Sequence, residues 1–247
     1  MRSSTLERWL PDIWAAPERW LAAIISSGES ELALDLLRAH PHLIHARLSG
    51  NRTALLQAAY CGKQELVAQL VELGAKLDLI GTVALDRLEE VETMLRDNPE
   101  WIRKHSSEGL GVLHVASRHA SVAMLSLLLT AGAGIDTRDN KAGVTPLFMV
   151  GDQNLANAEF LIQRGADIEA RSKDGFTVLH RAATYGQRNL VELLLLYRVQ
   201  IDAQTRARQT AWAFAVKSKN FLIADLLSSA KTSPNYLTGS AALGGAK

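Results

Sequence analysis

A short sequence pattern recurs at steps of about 33 residues, and this period constrains the fold more than any other feature of the chain. Aligned copies begin at Gly111, Thr145, Thr177 and Thr210, which lie 34, 32 and 33 residues apart. A further copy begins upstream, at Thr53. A fixed period of roughly 20 to 50 residues is typical of chains built from stacked, similar units. The sequence therefore predicts a repeat architecture in which each repeat packs on its neighbours.

Each copy contains two apolar segments with helical spacing, followed by a stop signal. In the copy that begins at Thr145, the second apolar segment contains Leu161, and Gly165 comes shortly after it. A glycine just past a helix adopts the left-handed cap conformation without a steric penalty. A polar stretch with a tight turn, such as Asp174-Gly175, then leads to the next copy. The predicted repeat is thus a helix, a turn, a second helix and a glycine stop.

These motifs resemble the ankyrin repeat family, whose pattern is G-x-T-P-L-H-x-A-A, a helix pair and then G-A-D-(V/I)-N-A. The best match runs from Asp174 to Ala183, and the resemblance covers about residues 19 to 230. It implies an all-α solenoid of about seven helix-turn-helix repeats. The third repeat is compressed between Asp78 and Leu95, where a protruding turn is missing.

The two ends of the chain differ from the repeats, which predicts a capping segment at 1–18, a repeat domain at 19–230 and a tail at 231–247. The tail is rich in Gly, Ala and Ser, so we expect it to be disordered. The first segment is apolar, and two interpretations stay open: a packed lid on the first repeat, or a segment that binds a membrane surface or a partner. Its apolar residues are Leu6, Trp9, Leu10, Ile13 and Trp14.

One repeat departs from the glycine pattern. Arg198 stands where Gly132 and Gly165 stand in the two preceding repeats. Either a residue with a side chain adopts the left-handed cap conformation here, or this repeat ends in a different way.

The histidines are the strongest candidates for chemistry. His114 and His180 occupy the motif histidine, and the family resemblance implies that each bonds to neighbouring backbone and to the threonine at the head of its helix. The cluster of His40, His42 and His45 has the density of a metal site, but no cysteine or carboxylate stands in this loop to complete a zinc ligand set. We therefore expect no metal and no cofactor.

The absence of catalytic motifs and the single cysteine favour a non-enzymatic protein of a reducing compartment. The sequence contains no glycine-rich phosphate loop, nucleophile elbow or zinc-protease helix. Cys61 is the single cysteine, the chain starts without a secretory signal, and no apolar run reaches the length of a membrane span. These features predict a cytoplasmic location. The sequence does not fix the oligomeric state, and a monomer is the simplest expectation.

The family resemblance also implies where a partner binds. Ankyrin arrays contact partners through a concave face made from the turn tips and the first helices, so the variable positions there can be carried onto this chain. The partner-binding residues implied in this way are Arg118, His119, Lys173, Phe176, Thr184, Tyr185, Arg206, Gln209 and Lys217. Phe176 and Tyr185 form the expected centre, because exposed aromatic side chains dominate the energetics of interfaces.

The charge pattern suggests the chemistry of the partner. Basic and acidic residues nearly balance over the whole chain, at 27 and 26. Between Glu169 and Asn220, however, nine basic residues oppose four acidic ones. This excess predicts a protein partner with an acidic surface. The alternative partner is a nucleic acid bound by the same basic repeats, which is disfavoured because few aromatic side chains are interleaved for base stacking.

Overall fold

The computed structural model describes residues 10–46, 48, 53–61, 63–75, 78–106 and 109–232. Helices form the regular structure of these residues, apart from isolated β-bridges, so the predicted all-α class is confirmed. The chain divides into two compact units, an N-terminal unit at 1–108 and a C-terminal unit at 109–247. Much of the predicted capping segment (1–9) and nearly all of the predicted tail (233–247) lie outside the described residues.

The N-terminal unit is built from antiparallel helix pairs connected by short loops. The first helices of the pairs, α2, α4 and α6, pack side by side, and α3 packs on α5 in the same way. Short 3₁₀ turns follow two of the pairs, at Pro41–Ile44 and Pro99–Arg103. The helices are α1 (Leu10–Ala15), α2 (Pro17–Ser27), α3 (Ser30–Ala39), α4 (Ala54–Tyr60), α5 (Gln64–Glu72), α6 (Leu79–Ala84) and α7 (Leu88–Asp97).

The C-terminal unit repeats the same arrangement more regularly. The first helices, α8, α10, α12 and α14, form one row, and the second helices, α9, α11, α13 and α15, form another. Its helices are α8 (Val112–His119), α9 (Val122–Thr130), α10 (Pro146–Met149), α11 (Leu155–Gln163), α12 (Val178–Tyr185), α13 (Arg188–Leu196), α14 (Ala211–Lys217) and α15 (Phe221–Thr232).

The core of the C-terminal unit follows the sequence period. Leu128, Leu161, Leu194 and Leu227 lie at equivalent positions of the second helices and are at most 1% exposed. The prediction that Leu128 and Leu161 are equivalent core residues is therefore confirmed. Burial of an aliphatic side chain contributes about 1.5 to 3 kcal/mol, so the row of leucines is a principal source of cohesion between the pairs.

Loops between successive pairs are held together by main-chain hydrogen bonds. The backbone N–H of Lys173 donates to the carbonyl of Ala142 at 2.8 Å, and that of Arg206 donates to Asp174 at 2.9 Å. These two bonds are related by the repeat, and they place the turn tips of the C-terminal unit beside one another. Residues at the tips therefore form a continuous row, although they lie far apart in sequence.

The second helices end as the glycine pattern predicts, including the one that lacks glycine. Gly132 and Gly165 have φ values of +96° and +90°. Arg198 has a φ of +58°, so it adopts the same left-handed conformation despite its side chain. Its N–H donates to the carbonyl of Leu195 at 3.0 Å, which closes the helix end as Gly165 does with Ile162 at 2.9 Å. The first of the two outcomes predicted for this position is thus confirmed.

Replacing Arg198 with glycine is expected to stabilise the protein by about 1 kcal/mol, because the left-handed conformation costs an ordinary residue about 1 to 2 kcal/mol and glycine almost nothing. Urea unfolding measures the change. The control is Arg198→Ala, which removes the side chain but keeps the Cβ atom and should bring no gain. Equal stability of the wild type and the glycine variant would contradict a strained cap.

The segment before the first repeat forms a short helix on the N-terminal unit. α1 packs against α2, with Ile13 only 1% exposed and Trp14 41% exposed. α2 begins at Pro17, so the boundary predicted between residues 18 and 19 falls inside this helix. The helix therefore directs one large apolar side chain inwards and another outwards.

Candidate protein-interaction surface

Both motif histidines bond to neighbouring backbone, as the family resemblance implies, but the implied threonine contact is wrong for His114, because Gly111 stands at the head of its helix. The Nδ1 atom of His180 accepts from the backbone N–H of Thr177 at 3.2 Å and lies 2.9 Å from the Thr177 hydroxyl. Its Nε2 atom lies 3.1 Å from the carbonyl oxygen of Gln209 in the next loop. His114 makes the corresponding contact with the carbonyl of Val144 at 2.9 Å. Each ring therefore fastens a first helix to the following loop.

Burial lowers the pKa of His180, and the nearby positive charge of Arg171 lowers it further, against the opposing effect of backbone hydrogen bonds. Because Nδ1 accepts an N–H bond, the neutral ring fits this position. As pH falls through the ordinary histidine pKa of about 6.5, His180 binds a proton in the unfolded chain but stays neutral in the folded protein. The free energy of unfolding therefore decreases.

We therefore expect the free energy of unfolding to decrease between pH 7.5 and the lower folded-state pKa, with a contribution from His180 of at most about 1.4 kcal/mol per pH unit. Urea unfolding at several pH values checks this. A His180→Asn variant should be less stable at neutral pH but should show a shallower slope. Parallel slopes for the two proteins would contradict the neutral, buried ring.

Five of the nine residues predicted to bind a partner lie at the ends of first helices. Arg118 is exposed and His119 half-buried at the end of α8. Thr184 is half-buried near the end of α12 and donates its hydroxyl to the carbonyl of His180 at 2.8 Å. Tyr185 is 72% exposed at the last position of that helix, and Lys217 is exposed at the last position of α14. Since the first helices pack side by side, these residues share one row.

The other four predicted residues lie on the loops that lead into the first helices. Lys173 is exposed, but its Nζ atom donates to the carbonyl of Asn140 at 2.8 Å. Arg206 is exposed, and its side chain forms no ion pair within the described residues. Gln209 is half-buried, and its carbonyl faces His180. Lys173 and Gln209 thus combine a structural contact with their place in the turn row.

Phe176, the fourth, is less available than the sequence predicts. Its ring centroid lies 4.9 Å from that of Phe214 and 5.8 Å from that of His180, and the residue is half-buried. The expectation of a freely exposed pair of aromatic residues is therefore wrong for Phe176 and right for Tyr185. The reason is that Phe214 of the next pair supplies an aromatic neighbour, which a single-repeat pattern does not show.

Arg181 is a surface feature that the family pattern does not single out. Its guanidinium lies 5.5 Å from the Tyr185 ring centroid and 5.9 Å from that of Phe148. It also donates to the carbonyl of Val150 at 2.6 Å and to the side chain of Gln187 at 3.3 Å. One sequence signal could have identified it: Arg181 lies in the interior of its helix, at the position that Phe214 occupies in the next pair. Arg181 therefore holds Tyr185 at the surface.

The histidine cluster of the N-terminal unit lies on one helix end and the 3₁₀ turn that follows it. The His40 ring lies 6.3 Å from that of Trp14 and 6.0 Å from that of His42, and His45 is exposed. In the part of the chain that the structure describes, no three His, Cys, Asp or Glu side chains are grouped to hold a metal ion. Across the same residues, no helix has the length and apolar character required to cross a membrane.

Comparison with known proteins decides the family. Residues 148–237 match the family model described as ankyrin repeats (3 copies). The chain is an ankyrin-repeat protein. The match covers α11 to α15, so it includes the helix pairs that carry Tyr185 and Lys217.

The relatives of this ankyrin-repeat chain are much longer proteins. It is 29% identical, over 79% of its length, to the Caenorhabditis elegans homolog of transient receptor potential cation channel subfamily A member 1. It is 27% identical, over 66% of its length, to the nuclear factor NF-kappa-B p105 subunit of Gallus gallus. It is 30% identical, over 51% of its length, to human SH3 and multiple ankyrin repeat domains protein 2. The aligned regions make up only 14%, 18% and 7% of these proteins.

Proposed function

We propose that this ankyrin-repeat chain is a non-enzymatic protein-interaction module, serving as an adaptor, scaffold or inhibitor. It binds a protein with an acidic surface through the row of first helices and turn tips in the C-terminal unit. The observation that carries the proposal is Tyr185, a large aromatic side chain that is 72% exposed and is positioned by Arg181. Such a residue contributes little to the core but is of the type that dominates binding energies at interfaces.

The charge of the same surface supports an acidic partner. Arg118, Arg206 and Lys217 are exposed, and none of them forms an ion pair within the described residues. Their charges are therefore available to a partner. Unpaired cations around an aromatic centre should mainly increase the rate of association with an acidic protein.

The helix pairs support a count of seven repeats with a compressed third one. Only six residues separate α5 from α6, whereas fourteen or fifteen separate successive pairs in the C-terminal unit. The loop before the α6–α7 pair is thus too short to form a projecting turn. We assign the partner to the C-terminal unit because its loops are complete.

The repeat residues that could support catalysis have structural partners instead. His114 and His180 each bond a loop carbonyl, and the single cysteine, Cys61, ends α4 in a half-buried position. We therefore assign binding rather than catalysis to the repeats. Because a single cysteine cannot form a disulfide within the chain, we also assign a reducing, cytoplasmic setting.

Replacing Tyr185 with alanine is expected to weaken the partner complex by about 30-fold or more, since an interface centre contributes about 2 kcal/mol or more. The partner is first recovered by pulldown with the full chain at low and moderate salt, and its affinity is then measured by calorimetry. Leu196→Ala is the control, because Leu196 is 80% exposed and lies on a second helix. Undiminished affinity of a folded Tyr185→Ala variant would contradict the proposed surface. A recovered nucleic acid whose binding collapses as salt rises would instead favour the basic repeats as a nucleic-acid site.

A further inference from the structure

The row of first helices is interrupted beside Tyr185. α10 contains four residues, whereas its neighbours α8 and α12 contain eight each. Val150 and Gly151, which follow α10, have extended backbones and stand where Ala182 and Ala183 stand in α12. A β-branched residue followed by glycine favours a helix less than two alanines do. The row consequently lacks one α-helical turn between the ends of α8 and α12, and a 3₁₀ turn at Asp152–Asn154 follows instead.

Two arginines are fastened to the segment that replaces this missing turn. Arg181 donates to the carbonyl of Val150 at 2.6 Å. On the other side, the Asn154 side chain donates to the carbonyl of Arg118 at 2.5 Å. Val150 and Asn154 are only four residues apart, so Arg118 and Arg181 flank the same short stretch of chain.

The two guanidinium groups repel each other, and no carboxylate among the described residues pairs with either of them. Burial lowers the pKa of Arg181, and the positive charge of Arg118 lowers it further, against the opposing effect of Tyr185. Neither side chain forms an ion pair with a carboxylate in the described ranges. The Asp152 carboxylate, which is close in sequence, instead accepts the N–H of Leu190 at 2.9 Å at the start of α13. Among the described residues, no carboxylate therefore pairs with either cation to offset their repulsion.

Aromatic rings complete the surroundings of Arg181. Its guanidinium lies within 6 Å of the centroids of both Phe148 and Tyr185, at 5.9 and 5.5 Å. Phe148 is half-buried on the short helix α10, and Tyr185 is exposed at the end of α12. The rings hold the cation in place, and in the part of the chain that the structure describes its side chain donates hydrogen bonds to Val150 and Gln187 alone.

We propose that Arg118, Phe148, Arg181 and Tyr185 form a receptor site for an aspartate or glutamate side chain of the protein partner. This inference rests on the proposed function, and it specifies the chemistry that the surface recognises. A carboxylate placed between the two arginines accepts charge-assisted hydrogen bonds from their planar donors and relieves their repulsion. The adjacent rings contact the apolar part of the same partner segment.

The test uses a displayed library of random 12-residue peptides selected on the full chain. Selected peptides are synthesised with a fluorescent label, and their affinities are measured by anisotropy. We expect them to share an Asp or Glu whose replacement by Asn or Gln weakens binding to the wild type about 10-fold. On an Arg118→Gln variant the same replacement should cost less than about 2-fold, because the two changes remove one interaction.

Arg188→Gln is the matched control, because it changes the net charge equally but removes an exposed arginine that pairs with Glu192 at 2.8 Å on α13. It should leave peptide affinity within about 2-fold of wild type. Thermal melts confirm that each variant folds.

The possible results of this experiment distinguish a failure of the carboxylate site from a failure of the proposed function. Peptides that lose affinity with Tyr185→Ala but are indifferent to Arg118→Gln would overturn the carboxylate site and leave the interaction surface standing. No binders, or binders indifferent to both substitutions, would overturn both proposals. Arg118-dependent binding of a labelled single-stranded oligonucleotide, without an acid-dependent peptide, would overturn the acidic-protein partner in favour of nucleic acid.

Discussion

Replacing Leu161 with alanine is expected to lower the free energy of unfolding by about 2 to 5 kcal/mol. Leu161 is fully buried on α11, between the equivalent leucines of α9 and α13. The substitution removes apolar area and leaves a cavity that close-packed neighbours fill only in part. Urea unfolding measures the loss, and Leu128→Ala should behave alike.

The matched control is Leu196→Ala, which deletes the same atoms from a side chain that is 80% exposed. We expect it to change stability by no more than about 0.5 kcal/mol. Because stability in repeat proteins is shared between nearest neighbours, Leu161→Ala should also reduce hydrogen-exchange protection in α9 and α13. Equal stabilities of the Leu161 and Leu196 variants would contradict the assigned repeat register.

Replacing Asp139 with alanine is expected to cost roughly 2 to 3 kcal/mol, because it removes a charged acceptor from three backbone N–H groups. Asp139 is 6% exposed in the loop before α10. Its carboxylate accepts the N–H of Val144 at 2.6 Å, of Ala142 at 2.9 Å and of Lys141 at 3.0 Å. Without it, these donors lose their partner inside the turn.

Asp139→Ser is an informative second variant, because Ser172 occupies the equivalent position in the next loop and accepts the N–H of Phe176 at 3.1 Å. It should restore part of the stability. Asp174→Ala, at an exposed turn position, is the control and should be nearly neutral. An Asp139→Ala variant as stable as the control would contradict the role of this carboxylate.

The same carboxylate makes stability depend on pH at the acidic end. Burial alone would raise the pKa of Asp139, but the N–H groups of Ala142, Val144 and Lys141 lower it more, so the net shift is downwards. Its stabilising contribution is therefore present above the ordinary aspartate pKa and is lost as pH falls through the lower folded value.

The periodic features of the fold could be predicted from sequence because they depend on local pattern. Each such feature depends on where the residues concerned lie within one repeat. Examples are the helix pairs, the buried leucines, the structural His180 and the left-handed Arg198. Arg208 is an exception to this local pattern. It has a φ of +56° where the preceding loops have Gly143 and Gly175, and no glycine marks the position.

Features that depend on neighbouring repeats could not be predicted in the same way. Phe176 packs on Phe214 only because two variable positions happen to carry aromatic rings. Trp212 stands where Leu179 is fully buried, yet it is 47% exposed, because α14 is the last first helix among the described residues. The early end of α10, by contrast, coincides with a departure from the motif itself, because Val150 and Gly151 replace its two alanines.

Hydrogen–deuterium exchange of the full chain, free and bound to the partner recovered by pulldown, shows whether the partner binds the row of first helices. We predict slower exchange on binding at the ends of α8 and α12 and in the turn tips near Lys173 and Arg206. The second helices α9, α11 and α13 should exchange at unchanged rates. Protection confined to those second helices, or to α1 with Trp14, would contradict binding through the row of first helices.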